Sequence, residues 1–113
     1  MITIRINGID YSIHLAPQGD DKLKVGGSDR CGATWFYSGE IYILESLTPG
    51  AMRQVITHEL THAYMMAHGF IPHTKFDHEE VCDFIAAYAK LICYDTSAVI
   101  KHYGILGAEM DGN

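Results

Sequence analysis

The residues with the clearest chemical potential are His58-Glu59-Leu60-Thr61-His62. On an α-helix, side chains four positions apart lie one turn apart on the same face. Two imidazoles at that spacing can hold one zinc ion from a rigid scaffold. Glu59 is rotated about a third of a turn from His58, so it reaches a water on the metal rather than the metal itself. That is the station of a general base. The chemistry so implied is metal-assisted hydrolysis. Zinc lowers the pKa of its bound water toward about 7 and polarises the substrate carbonyl. Glu59 takes the water's proton and passes it to the leaving amine.

Two histidines make an incomplete site, because catalytic zinc takes three protein ligands and keeps a fourth position for water. The carboxylates that follow are Glu79, Glu80 and Asp83. Asp77 and Glu80 form a capping-box pattern, which gives Glu80 a structural job. Glu79 is therefore the preferred third ligand, with Glu80 as the alternative. Asp83, one turn after Glu79, is placed to accept from the far nitrogen of a ligand histidine and fix its tautomer. The plainer readings are a first-turn carboxylate favoured by the helix dipole, a solvated aspartate, and a His-Glu-His stripe facing water without metal. An oxyanion also wants a donor besides the metal, and Tyr37, Tyr42, His73 and Tyr103 are candidates that remain open. His14, His68, His73, His78 and His102 more often read as surface or capping histidines. His78 is a weak fourth-ligand candidate, since a closed site would block catalysis.

The elements that must position these groups change period halfway along the chain. Residues 2–7 and 9–16 alternate about Asn7-Gly8, the strongest short hairpin signal. Lys22 to Val25 reads as a short strand, and Gly26 to Gly32 as a loop. Thr34 to Tyr37 and Glu40 to Leu44 read as a second hairpin about Ser38-Gly39. The first long helix begins after Thr48 as N-cap, with Pro49 at its first position and Gly69 past its end. Met52, Val55, Ile56, Leu60, Ala63 and Ala67 recur at helical spacing, which makes it a buried helix.

The second helix starts at Asp77. Val81, Phe84, Ile85, Tyr88 and Ile92 form its apolar stripe. Cys82, Ala86, Ala89 and Cys93 form a stripe of small, buried residues suited to close approach by the first helix. Asp95-Thr96-Ser97 ends it, and a short third helix runs to about Tyr103, before a loose tail.

One domain of 113 residues is expected, with strands over about 1–46, helices over about 49–68 and 78–94, and a short C-terminal helix over about 97–103. Hydrophobic residues at 48% and charged residues at 19% give a globular balance. The net charge of −6, with scattered cations, argues against nucleic acid as a partner. Cys31, Cys82 and Cys93 are an odd set without short spacing, which fits a reducing compartment rather than a disulfide framework. The N-terminal run lacks the apolar stretch of a signal peptide, and no segment is long and apolar enough for a membrane span. A cytoplasmic location is expected. Oligomeric state is not written in these patterns.

His58-Glu59-Leu60-Thr61-His62 followed by Glu79-Glu80-Val81-Cys82-Asp83 resembles the gluzincin pattern, a His-Glu-x-x-His helix and then Glu-x-x-x-Asp on the next helix. The short spacing is similar to minimal gluzincins of phage and mobile elements, related to the ImmA/IrrE family of repressor-cleaving proteins. The resemblance covers roughly residues 30 to 95. It implies a zincin-like α+β core, a small antiparallel or mixed sheet of two hairpins packed on two long helices. It also implies a zinc metallopeptidase acting on a peptide or protein, a repressor-like regulator among them. A sheet-edge strand before the metal helix would hold that peptide by strand addition, and Glu40 to Glu45 matches its position. The alternative is a non-catalytic, zinc-stabilised interaction or regulatory module, and the discriminator is Glu59, since a structural site needs no base.

Overall fold

In the computed structural model, residues 1–70 and 78–105 are described. The chain opens with strands β1 (Ile2–Ile6) and β2 (Ile9–Ala16), antiparallel with Ile4 opposite Tyr11. Asn7 and Gly8 both take positive φ, 48° and 79°, the twist a two-residue hairpin needs. A 3-10 turn (Asp21–Leu23) leads into a small ribbon of β3 (Lys24–Val25) and β4 (Ser28–Asp29). The second hairpin pairs β5 (Gly32–Trp35) with β6 (Glu40–Leu44), Thr34 opposite Ile41. β5 thus starts two residues before the expected Thr34.

The two hairpins join through a parallel pairing of β2 with β6, Ile13 opposite Ile41, giving the order β1-β2-β6-β5. This overturns one expectation. The segment from Glu40 is not an edge, because β6 is paired on both sides. Its Ile41 and Ile43 are almost fully buried, and burial of both pulls β6 to the middle of the sheet. Among the described residues the sheet's edges are β1 and β5, and β5 is the one beside His58 and Glu59.

Helix α1 (Pro49–Ala67) begins as expected: Thr48 is the N-cap and its side chain accepts from the Ala51 amide. Past its end Gly69 takes φ 83°, which only glycine adopts cheaply. Met52, Ile56, Leu60 and Ala63 pack on the sheet face formed by Ile4, Ile6, Tyr11, Ile13, Ile41 and Ile43. Asn7 Nδ2 donates to the Ala67 carbonyl at 2.8 Å, so the first hairpin turn satisfies an orphan acceptor of the helix end.

Helix α2 (His78–Tyr103) is one continuous helix and not two. The polar trio expected to end it is engaged elsewhere: Thr96 Oγ1 donates to the Ile92 carbonyl one turn back, and Asp95 accepts from Tyr64 on α1. Neither side chain is left to cap a break. The face that packs is Phe84, Ile92, Thr96, Val99 and Ile100. Val81 and Ile85 are exposed, and so are Cys82, Ala86 and Cys93, so the small-residue stripe is not the seam with α1. Asp77 and the capping box it would form lie outside the described residues, as does the tail beyond residue 105.

Candidate metal centre at the sheet edge

α1 presents three side chains toward β5. His58 is exposed, His62 is half-buried and Glu59 is buried, 6% exposed. Their ligand atoms lie within 4.8 Å of one another, and among the described residues they are the only His, Cys, Asp or Glu group close enough to share an ion. The two Nε2 atoms are 3.2 Å apart. Two metal–nitrogen bonds of about 2.05 Å at a tetrahedral angle would set them about 3.3 Å apart. The pair is thus already at chelating separation, and two imidazoles with a carboxylate form a donor set that suits zinc. Burial lowers the pKa of His62, and His58 nearby adds to this against the opposing pull of Glu59. The direction favours the neutral ring that a metal requires.

Glu59 is held from the sheet. Thr34 Oγ1, on β5, donates to Oε1 of Glu59 at 2.8 Å. A buried carboxylate is costly without such a partner. The other oxygen, Oε2, lies 4.0 Å from His58 Nε2. Room for this carboxylate depends on Gly32. A Cβ there would stand 2.7 Å from Val55 Cγ1, 2.9 Å from Glu59 Cγ and 3.0 Å from Glu59 Oε2. Those separations are below normal packing contact.

Among the described residues the strand that supplies Gly32 and Thr34 has no partner on its outer edge. Leu44 N donates to Cys31 O, and Gly39 N to Trp35 O. Antiparallel ladders alternate, so Cys31, Ala33 and Trp35 direct their backbone groups to β6, while Gly32 and Thr34 direct theirs outward. Two adjoining depressions of about 290 and 300 Å³ flank this edge. Both are bounded by Arg30, Gly32, His58 and Glu59. One extends to Gln54 and Val55, and the other to Val25, Phe36 and His62.

The later carboxylates are not brought to the histidines. α2 runs antiparallel to α1: Thr57 meets Thr96, Tyr64 meets Tyr88 and Asp95, and Phe70 meets Phe84. Glu79 lies beyond Phe84, hence beyond the end of α1. At 1.5 Å per residue it is on the order of 15 Å along the axis from the level of His62. Glu79, Glu80 and Asp83 are all exposed. The contacts of Phe84, Tyr88 and Asp95 fix this register, and they move the expected third ligand and its partner away from the pair.

The expected oxyanion donors are also elsewhere. Tyr37 is fully exposed in the β5–β6 turn, Tyr42 donates to Glu40 and stacks on His14, and Tyr103 donates to the Ile13 carbonyl. His73 lies outside the described residues. Sequence reasoning missed Arg30, Gly32 and Thr34. Gly32 and Thr34 alternate on one strand face with Arg30 just before it, but nothing local tells that this face meets α1.

No family model, no curated protein and no solved structure matches the chain.

Proposed function

We propose that the chain is a zinc-dependent hydrolase of peptide bonds, in which His58 and His62 supply two of the ion's protein ligands and Glu59 is the general base. The observation that carries the reading is the arrangement of Glu59. It is buried between the chelating pair and an open strand edge, with one carboxylate oxygen tied to Thr34 and the other turned toward His58.

Zinc at the pair would supply Lewis acidity, which acidifies water and polarises a carbonyl. The protein's own groups do the rest. Thr34 fixes the carboxylate through Oε1, which leaves Oε2 to take a proton from the attacking water and to hand it to the departing amine. The outward backbone groups of Gly32 and Thr34 can pair with an extended chain laid along β5. That would hold a scissile bond over the depressions beside His58. A peptide or exposed protein segment is the substrate class such an edge selects, and the gluzincin resemblance extends this to repressor-like regulators.

A second reading has one observation in its favour. With Glu79 far from the histidines, Glu59 itself is the nearest carboxylate to complete the shell, which would make this a zinc-stabilised interaction module. Glu59→Gln separates the two. A base lost to glutamine leaves zinc content unchanged and abolishes hydrolysis of an unstructured protein substrate. A ligand lost to glutamine releases zinc. Retained hydrolysis in that variant would end the proposed mechanism.

Among the described residues no helix is long and apolar enough to cross a membrane. Cys31, Cys82 and Cys93 are free and exposed, which supports a reducing, cytoplasmic setting.

A further inference from the structure

The two depressions beside the histidines share one permanent cation, Arg30, at the junction between β4 and β5. Among the described residues its guanidinium has no ion pair, whereas Arg5, Lys22 and Lys24 each have one. Only its backbone amide is engaged, donating to the Leu23 carbonyl at 2.8 Å. That bond pins the Arg30 backbone to the 3-10 turn and leaves the side chain available to the cleft. Arg30 is exposed, so its guanidinium stays hydrated and free to exchange water for a ligand's carboxylate.

We propose that Arg30 is a specificity-determining residue that anchors a carboxylate of the bound peptide, an acidic side chain or a free C-terminus. The inference rests on the hydrolase reading above and names the substrate class of that same site. A guanidinium presents a planar fork of donors that matches a carboxylate in two parallel bonds. One cation beside the Glu59 carboxylate suits a single negative charge. A phosphate group would call for several cations, and a polyanion would be repelled by the chain's overall charge. The strand edge sets the register of the peptide. Arg30 lies two residues before Gly32 on the same run of chain, so the anchored carboxylate would sit on a side chain or terminus a short way along the peptide from the bond held over His58.

The test uses short blocked peptides of neutral composition carrying one Glu, their twins carrying Gln, and a third set ending in a free or an amidated terminus. Each is added to the zinc-loaded chain, with binding read by fluorescence anisotropy and cleavage by mass spectrometry. The expected result is roughly tenfold tighter binding of the acid than of its amide twin. Arg30→Gln should erase that difference without changing zinc content, and Arg30→Glu should transfer the preference to a Lys peptide. The Glu/Gln and acid/amide pairs tell side chain from terminus. Equal binding of all twins by the parent, or a preference that survives in Arg30→Gln, overturns the proposal. Cleavage without acid preference leaves the hydrolase reading standing and removes Arg30 from it. Acid preference without cleavage does the reverse.

Discussion

Thr34 on the edge strand donates to the carboxylate of Glu59 on α1, at 2.8 Å, and so links the two elements that would have to act together. One hydroxyl both satisfies a buried carboxyl group and sets which oxygen would be left for proton transfer in the proposed mechanism. Thr34→Val removes the donor while conserving shape. It should lower hydrolysis by about tenfold or more, within the range general-base positioning supplies, with zinc content unchanged. Thr34→Ser should restore most of the rate. Steady-state rates beside metal analysis check this.

Gly32 is a matter of space. Its Cβ would collide with Val55 and with the Glu59 side chain. Gly32→Ala should destabilise the fold by about 1–3 kcal/mol, the usual range for overpacking, and displace the carboxylate. Urea denaturation gives the first effect, and loss of hydrolysis in the still-folded variant gives the second.

The metal shell can be read directly by substitution. His58→Ala and His62→Ala should each lose zinc, whereas Glu79→Gln should keep it, because Glu79 stands beyond the end of α1. Zinc retention after dialysis against a weak chelator distinguishes these variants. Loss of zinc from Glu79→Gln would instead restore the ligand set that the gluzincin resemblance implies.

Stability should fall in alkali. Tyr11, Tyr42, Tyr64 and Tyr103 all have pKa values raised above 10.0, mainly by burial, and Tyr64 also by its bond to Asp95. The unfolded chain therefore loses these protons first. The associated stability is whole below about pH 10 and is lost as pH rises from there through the folded-state values. Thermal melts from pH 8 to 11 should show the decline. Tyr64→Phe should start less stable, because Asp95 loses its donor, but should decline less steeply.

Local rules made the punctuation of this chain legible. Asn7-Gly8 demands positive φ, Thr48-Pro49 starts a helix and Gly69 ends one, and each does so in the fold. The His58–His62 turn is legible for the same reason, since both residues belong to one helix and their separation follows from its pitch. What distance in sequence decides was not legible. Whether β5 or β6 is the open edge depends on which of them docks on β2. Where Glu79 falls depends on the register between helices, which Phe84, Tyr88 and Asp95 set from α2. Thr96 and Asp95 resemble a helix stop until their bonds to Ile92 and Tyr64 are known. Gly32 carries no local signal at all, because its requirement comes from Val55 and Glu59 across the gap between sheet and helix.

The parallel seam between β2 and β6 has a consequence in time. Each hairpin can zip from its own turn within microseconds, but Ser12 must find Glu40 across an intervening stretch of chain before the sheet is whole. α1 packs on residues from both sides of that seam, Ile13 and Ile41 among them. Until the seam closes, α1 has only part of its sheet to rest on, so its burial should be completed late in folding.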